Sequence, residues 1–267
     1  MSKTVVITGS SSGLGMELAK NFRNAGYNIV LNGMNPEKLI KAENVLKASA
    51  GNGKVISVQG SVSEEADMEK LASTAVNEFG TIDIWINNAG VNQPAKAIWE
   101  LTEKEIKGMF STDLIGAVIG SKTAMKVMER QHSGAIYNVE GYGSNDAMML
   151  GLNIYGTTKR AVTHFTIALA KESEERNTGV IIGRLSPGIM LTEFTKKSMN
   201  GDKIELSEKT KNFYNIQGEF PDVVAKHLTD GMLSNKKNNA HIEWLTTARV
   251  IKNFITASKT KKDFFRE

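Results

Sequence analysis

At 267 residues, 40% hydrophobic and 23% charged, the chain is long enough for one large α/β domain, and no proline-rich, low-complexity or repeated segment divides it. The absence of cysteine excludes a disulfide framework and thiolate metal sites, and His132, His164, His227 and His241 lack ligand spacing, so no metal is expected. The formal charge of +4 is spread over interleaved acids and bases along most of the chain, which describes a solvated surface and gives no footprint for nucleic acid.

The first element, Lys3-Thr4-Val5-Val6-Ile7, reads as a strand, and Thr8-Gly9-Ser10-Ser11-Ser12-Gly13-Leu14-Gly15 as a glycine turn opening a helix from Met16 to Asn24. Gly9 permits the tight turn and Gly13 lets backbone approach a pyrophosphate. Gly15 lets helix and strand pack closely, with N–H groups of the helix N-terminus free to face phosphates. Further strands are predicted near 28–32, 54–59, 82–87, 134–139, 179–185 and 240–244, with helices between them. Repeated β–α units predict a single doubly wound Rossmann-type α/β domain with a parallel sheet of about seven strands and ligands at the strands' carboxyl ends.

That domain is assigned to residues 1–247, with a strandless substrate lid at about 190–220 containing Phe194, Met199, Phe213 and Tyr214. No apolar run reaches the roughly 18 residues of a spanning helix and no signal-peptide pattern precedes the first strand, so no membrane span and a cytoplasmic location are expected. Residues 248–267 form a basic amphipathic tail in which Arg249, Lys252, Lys259, Lys261, Lys262 and Arg266 alternate with Val250, Ile251, Phe254, Ile255, Phe264 and Phe265. An apolar stripe of this kind most often packs on protein, and the alternative is a membrane surface or an acidic partner.

Two local patterns carry chemistry. At the end of the second strand, where an acidic residue binds the ribose hydroxyl of NAD and a basic one accommodates the phosphate of NADP, the chain has Asn32-Gly33-Met34-Asn35. Gly33 removes the carboxylate, which favours NADP(H) over NAD(H), with Ser10, Ser11, Asn32 and Asn35 as expected donors. In Tyr155-Gly156-Thr157-Thr158-Lys159, Tyr and Lys lie one helical turn apart on one face. A cation there stabilises the phenolate and brings the phenol's proton exchange closer to neutral pH.

With T-G-x-x-x-G-x-G at Thr8–Gly15 and Y-x-x-x-K at Tyr155–Lys159, the chain resembles the short-chain dehydrogenase/reductase family. Asn87-Asn88-Ala89-Gly90 matches that family's N-N-A-G after the fourth strand, and Pro187-Gly188 with Thr192 matches its P-G-x-x-x-T. The resemblance implies a nicotinamide cofactor held by Gly9, Ser11, Ser12, Gly13, Leu14 and Gly15 at the pyrophosphate. It places Asn88, Ala89 and Gly90 at the adenosine ribose and backbone, and Pro187, Gly188, Ile189 and Thr192 at the carboxamide. Lys159 would also bond the nicotinamide ribose. Met34 stands where NADP-using members commonly carry Arg, and Ser61, before Val62, replaces the Asp usually found beside the adenine.

The catalytic pattern departs from the family twice. Asp113 occupies the position of the relay Asn, where an acceptor-only carboxylate can still bind water but adds negative charge near Lys159. The usual N-x-S-S is replaced by Asn138-Val139-Glu140-Gly141-Tyr142-Gly143-Ser144. Gly141 or Tyr142 falls at the Ser position depending on the direction of counting, and Ser144 is the expected carbonyl-orienting hydroxyl, with Tyr142 as reserve. This loop and the Glu243-Trp244-Leu245-Thr246 step before the tail are similar to the chlorophyll b reductase branch, a likeness of scaffold that leaves the substrate open.

The expected activity is hydride transfer between nicotinamide and a carbonyl or alcohol, with Tyr155 as acid/base, Lys159 lowering its pKa and Asp113 carrying any water relay. The expected partner is a small-molecule substrate, medium to large in size and partly hydrophobic, and the family's habit implies a homodimer or homotetramer. The alternative is an NADP(H)-binding redox sensor with little turnover, which the altered residues favour and the intact Tyr155 and Lys159 oppose.

Overall fold

The computed structural model describes residues 2–257 and 263–265, so Lys259, Lys261, Lys262 and Arg266 of the tail lie outside the described residues. Strands β1 (Thr4–Ile7), β2 (Asn28–Gly33), β3 (Val55–Gln59), β4 (Ile84–Asn87), β5 (Gly134–Val139), β6 (Val180–Ser186) and β7 (Ala240–Glu243) form one parallel sheet. Its order is β3-β2-β1-β4-β5-β6-β7. The order reverses between β1 and β4, where Ile7 pairs with Leu31 on one side and Ile86 on the other, and ligands of open parallel sheets bind in the crevice beyond such a point.

Helices α1 (Gly13–Asn24), α2 (Pro36–Ala48), α3 (Glu65–Phe79), α4 (Glu103–Met109), α5 (Gly116–Gln131), α6 (Asn153–Glu175) and α9 (Pro221–Ser234) cover the sheet. Every residue of β1 is buried, as expected of a strand covered on both faces. One core joins Val5, Ile7, Leu18, Phe22, Leu31 and Leu228, and the other joins Val6, Val30, Met68, Leu71, Trp85 and Ile136. Each such aliphatic or aromatic side chain contributes about 1.5–3 kcal/mol on leaving water.

A polar line crosses this apolar interior. Trp85 Nε1 donates to Asn87 Oδ1 (2.8 Å), Asn87 Nδ2 donates to Asn138 Oδ1 (2.8 Å), and Asn138 Nδ2 donates to Thr166 Oγ1 (2.9 Å). The bonds join β4 to β5 and then to α6, the helix that carries Tyr155 and Lys159. Between α4 and α5 the backbone widens into a π-helical turn, Phe110–Ile115, a feature often found at functional positions, and Asp113 lies in it.

The segment predicted as a lid contains the short helices α7 (Glu193–Lys196) and α8 (Glu208–Gln217) and two isolated bridges, Met190 with Glu219 and Lys197 with Lys203. Met199 N donates to Asn92 O (2.9 Å) and Asn92 Nδ2 to Phe194 O (3.0 Å), tying this segment to the loop after β4. Helix α10 (Thr247–Thr256) follows β7, with Thr246 accepting from Arg249 N as its cap (3.2 Å).

Candidate active site

The carboxyl ends of β1, β4, β5 and β6 open into a cleft of about 730 Å³, within the range of small-molecule sites. At one end the glycine turn shapes an anion cradle. Gly9 has φ +61°, and a Cβ there would lie 2.7 Å from Ala89 Cα, so a side chain is excluded by both conformation and space. Gly13 also has positive φ, and Ser12 precedes α1 without making a side-chain cap, which leaves the helix's first N–H groups directed to the cleft. Gly9, Ser11, Ser12, Gly13 and Leu14 line the cleft; Gly15 instead packs beneath it, where a Cβ would come within 2.7 Å of Gly9 O. Asn88 staples the turn in place by donating from Nδ2 to Thr8 O (2.9 Å) and Gly9 O (3.1 Å).

At the outer end Gly33, Met34, Gly60 and Val62 line the cleft and Met34 is exposed. Ser61 is turned into its own loop, accepting no place in the wall: its N–H donates to Asp67 Oδ2 (2.8 Å) and its hydroxyl pairs with Ser63 (2.9 Å). Two of the four expected phosphate donors, Ser10 and Asn32, have their donor groups taken by the fold, and Asn35 is engaged through its acceptor oxygen only. Ser10 donates to Ile7 O (2.7 Å), Asn32 Nδ2 to Val58 O (3.1 Å) and Gly60 O (3.2 Å), and Asn35 Oδ1 caps α2 at Lys38 N (2.8 Å). Ser11 remains in the wall, beside Gly33.

The other end brings Ala89, Gly90, Pro187, Gly188, Ile189 and Thr192 together with Tyr155 and Lys159. Tyr155 is buried against Phe194, ring centroids 5.8 Å apart, and Lys159 Nζ lies 5.6 Å from the Tyr155 centroid while reaching Val139 O at 3.4 Å. The start of α6 is held from afar: Gln93 Oε1 accepts from Ile154 N (2.9 Å) and Tyr155 N (3.2 Å). A cap supplied across some sixty residues leaves no local signature, so sequence reading misses Gln93.

Asp113 is buried and accepts from Val91 N through Oδ1 (2.7 Å). Its Oδ2 is buried with no hydrogen-bond partner among the described residues. Burial pushes its carboxyl up to about 6, against the opposing pull of Lys159 and the Val91 N–H. Burial, then the Asp113 charge, also pushes the Tyr155 phenol above its ordinary value, so in the protein alone the lowering expected from Lys159 is outweighed.

The loop after β5 separates the candidates for the missing serine. A Cβ at Gly141 would lie 2.3 Å from Tyr155 Oη, which puts Gly141 at the phenol itself. Ser144 closes the turn: its hydroxyl accepts from Gly141 N (3.1 Å) and its N–H donates to Gly141 O (3.1 Å), and it is absent from the cleft wall. Tyr142 lines the cleft and donates to Met148 O (3.0 Å). Glu140, which sequence reading passed over, is buried and accepts from Thr163 Oγ1 (2.7 Å), Ser186 Oγ and His241 Nε2 (3.0 Å), with Arg184 Nη1 at 3.5 Å. Burial raises its carboxyl, but the bonds from His241, Ser186 and Thr163 prevail and bring it down to about 2. Its signal was an acid ending an apolar strand, legible only once β6 and β7 supply the partners.

A family model described as short chain dehydrogenase matches residues 3–203. The chain belongs to the short-chain dehydrogenase/reductase family. This is a family of oxidoreductases acting on CH–OH and C=O groups, and the branch likeness in the loop and tail is borne out by curated relatives. The chain is 34% identical over 271 residues to a probable chlorophyll(ide) b reductase, chloroplastic, of Arabidopsis thaliana, a match covering 96% of this chain and 53% of that protein. It thus spans about half the length of that relative. It is also 34% identical over 194 residues to a diacetyl reductase ((S)-acetoin forming) of Staphylococcus epidermidis, covering 72% of this chain and 73% of that one. Levodione reductase shares the fold, with a TM-score of 0.80 at 24% identity over 90% of this chain and 95% of that one. The family binds NAD(P), and the open, uncapped α1 N-terminus above the glycine cradle fits the pyrophosphate of such a dinucleotide.

Proposed function

We propose that the chain is an NADP(H)-dependent reductase of carbonyl compounds with apolar bodies, using Tyr155 as its acid/base. The observation that carries this reading is that one cleft holds the glycine cradle at one end and Tyr155 with Lys159 on its wall at the other. When bound, the nicotinamide dinucleotide supplies or accepts the hydride. Gly9, Ser11, Gly13 and Leu14 would hold its pyrophosphate, Asn88 and Gly90 the ribose side, and Ile189 and Thr192 the carboxamide.

For this chain's own residues, the chemistry is proton handling and exclusion of water. Tyr155, its phenol held protonated by burial and by Asp113, is suited to donate a proton to a carbonyl oxygen that gains charge. Lys159 places a cation beside the phenolate left behind. Asp113 Oδ2, buried and unpartnered, is the acceptor available for a water passing the proton onward. Tyr142 supports the reading as the hydroxyl in the wall for orienting a carbonyl, in preference to Ser144.

The preference for NADP(H) is supported by the lack of any carboxylate at Gly33 and Met34 and by the Ser11 hydroxyl beside Gly33. Tyr142, Met149, Leu152, Phe194, Phe213 and Tyr214 line the substrate side, which supports a medium to large apolar substrate. The names of the relatives suggest a tetrapyrrole aldehyde or a small diketone as first compounds to try. A redox sensor with little turnover is the second reading, favoured by Gly141 and Asp113 at two catalytic positions.

The test is titration with NADPH and NADH, followed by chlorophyllide b, diacetyl and a panel of aldehydes and ketones with cofactor absorbance recorded. Turnover with NADPH that falls by about 10²-fold or more in Tyr155→Phe is the expected result. Tight NADPH binding with no turnover on any carbonyl would favour the sensor.

A further inference from the structure

The polar and apolar faces of α10 are reversed relative to a helix packed on its own domain. Arg249 stacks on the Trp244 ring at 3.4 Å, Asn253 Nδ2 donates to Gln217 Oε1 (3.1 Å), and Gln217 Nε2 donates to Val250 O (3.3 Å), so polar groups fasten the helix to the body. The other side carries Ile251 (55% exposed), Phe254 (52%) and Ile255 (73%), and no residue of the helix is buried. Ordinarily such a stripe turns inward. Phe213 of α8 continues the patch, its ring 6.4 Å from that of Phe254, and also lines the cleft.

From this arrangement and its charge we infer that the outer face of α10 docks on an anionic lipid surface. Residues 248–267 contain six Lys and Arg against two Asp and Glu, which accounts for the whole formal +4, and the rest of the chain has as many acids as bases. An exposed apolar stripe beside concentrated positive charge is the composition of a helix lying in a membrane interface, where apolar area and attraction to anionic headgroups act together. A second copy is a poorer occupant, because two-fold contact through this face would press one positive segment against its duplicate. Docking would turn the Phe213 side of the cleft toward the surface, giving an apolar substrate a route that avoids water; this clause alone rests on the reductase reading.

The test is co-sedimentation of the full chain with phosphatidylcholine vesicles, with and without phosphatidylglycerol, at low and high salt, beside the double variant Ile251→Glu, Ile255→Glu. Expected are binding about tenfold or more tighter to the anionic vesicles, loss of that gain at high salt, and a drop of at least about tenfold in the double variant. Both substituted side chains are exposed, so an unchanged melting temperature and unchanged turnover of a water-soluble carbonyl are expected. Equal or absent binding to both vesicle types overturns the inference. So does a wild-type dimer, dispersed by the double variant, that ignores vesicles, since the occupant is then a second copy. Absence of cofactor turnover in both proteins, with anionic binding retained, counts against the reductase reading and leaves the docking surface in place.

Discussion

A methyl group on Gly141 would meet the Tyr155 hydroxyl oxygen at 2.3 Å and the phenol carbon behind it at 3.0 Å. The phenol therefore occupies the space into which a side chain at 141 would project, and any substituent there displaces the group proposed as the proton donor. Gly141→Ala is expected to lower kcat/KM by about 10²-fold, in keeping with misplacement of a reacting group by an ångström or so. Gly141→Ser is expected to fare no better. Steady-state kinetics on both variants decide this, and an active Ser variant beside a dead Ala variant would show that residue 141 can bear the missing hydroxyl.

Asp113→Asn is expected to stabilise the protein at neutral pH. The carboxyl titrates at about 6 in the fold against an ordinary 3.8. Folding therefore favours the protonated form, and the stability this contributes is full below pH 3.8 and lost as pH rises through about 6. The charged form costs up to about 3 kcal/mol near pH 7.5. Denaturant melts are expected to show the variant ahead by as much as that at pH 7.5 and level with the wild type below about pH 4. Removing the charge also lowers the Tyr155 phenol, so the rise of alcohol oxidation with pH, which needs the deprotonated phenol, is expected at lower pH.

Glu140→Gln has the opposite sign. Its carboxyl is held at about 2 against an ordinary 4.5, so its contribution is present above pH 4.5 and fades as pH falls toward 2. Loss of the charged acceptor leaves His241, Arg184 and the Thr163 and Ser186 hydroxyls with weaker bonds, a cost of about 2–3 kcal/mol at pH 7. Chemical denaturation at pH 7 and pH 3 measures it, and the difference between variant and wild type is expected to shrink at the lower pH.

Gly33→Asp is expected to turn the cofactor preference toward NADH. A Cβ at Gly33 meets Ser11 Oγ at 3.4 Å, an ordinary contact, so the side chain fits and its carboxylate can accept from a ribose hydroxyl while repelling a phosphate. Met34→Arg, at an exposed position, is expected to act the other way, tightening NADPH by about tenfold through one charged bond. Fluorescence titration with both cofactors separates the two outcomes.

The strands were legible because β-branched runs and glycine turns signal them locally, and the cradle because close backbone approach demands glycine at fixed spacing. Asp113 was legible as the acid standing where the family carries its relay Asn. What could not be read is what depends on distant partners. Ser144 looks like a hydroxyl placed for catalysis until the turn, with Gly141 N donating to it, is seen to keep it off the cleft wall. Asn32 and Ser10 look like phosphate donors until the carbonyls of Ile7, Val58 and Gly60 take them up. Gln93 and Glu140 draw their meaning wholly from residues dozens of positions away. The tail shows its stripe in sequence, but which way the stripe faces is decided by Gln217 and Trp244.

The line from Trp85 through Asn87 and Asn138 to Thr166 sets a mechanical division of labour. Directional bonds in a dry sheet resist sliding far more than interdigitated methyl groups do, so the helix bearing Tyr155 is locked in register with the strand that ends at the dinucleotide crevice. Contact with the substrate side of the cleft then falls to residues 190–220, from which Phe194, Phe213 and Tyr214 line it. Exchange of that segment between relatives is expected to transplant substrate choice while the clamp on the reacting atoms stays as it is.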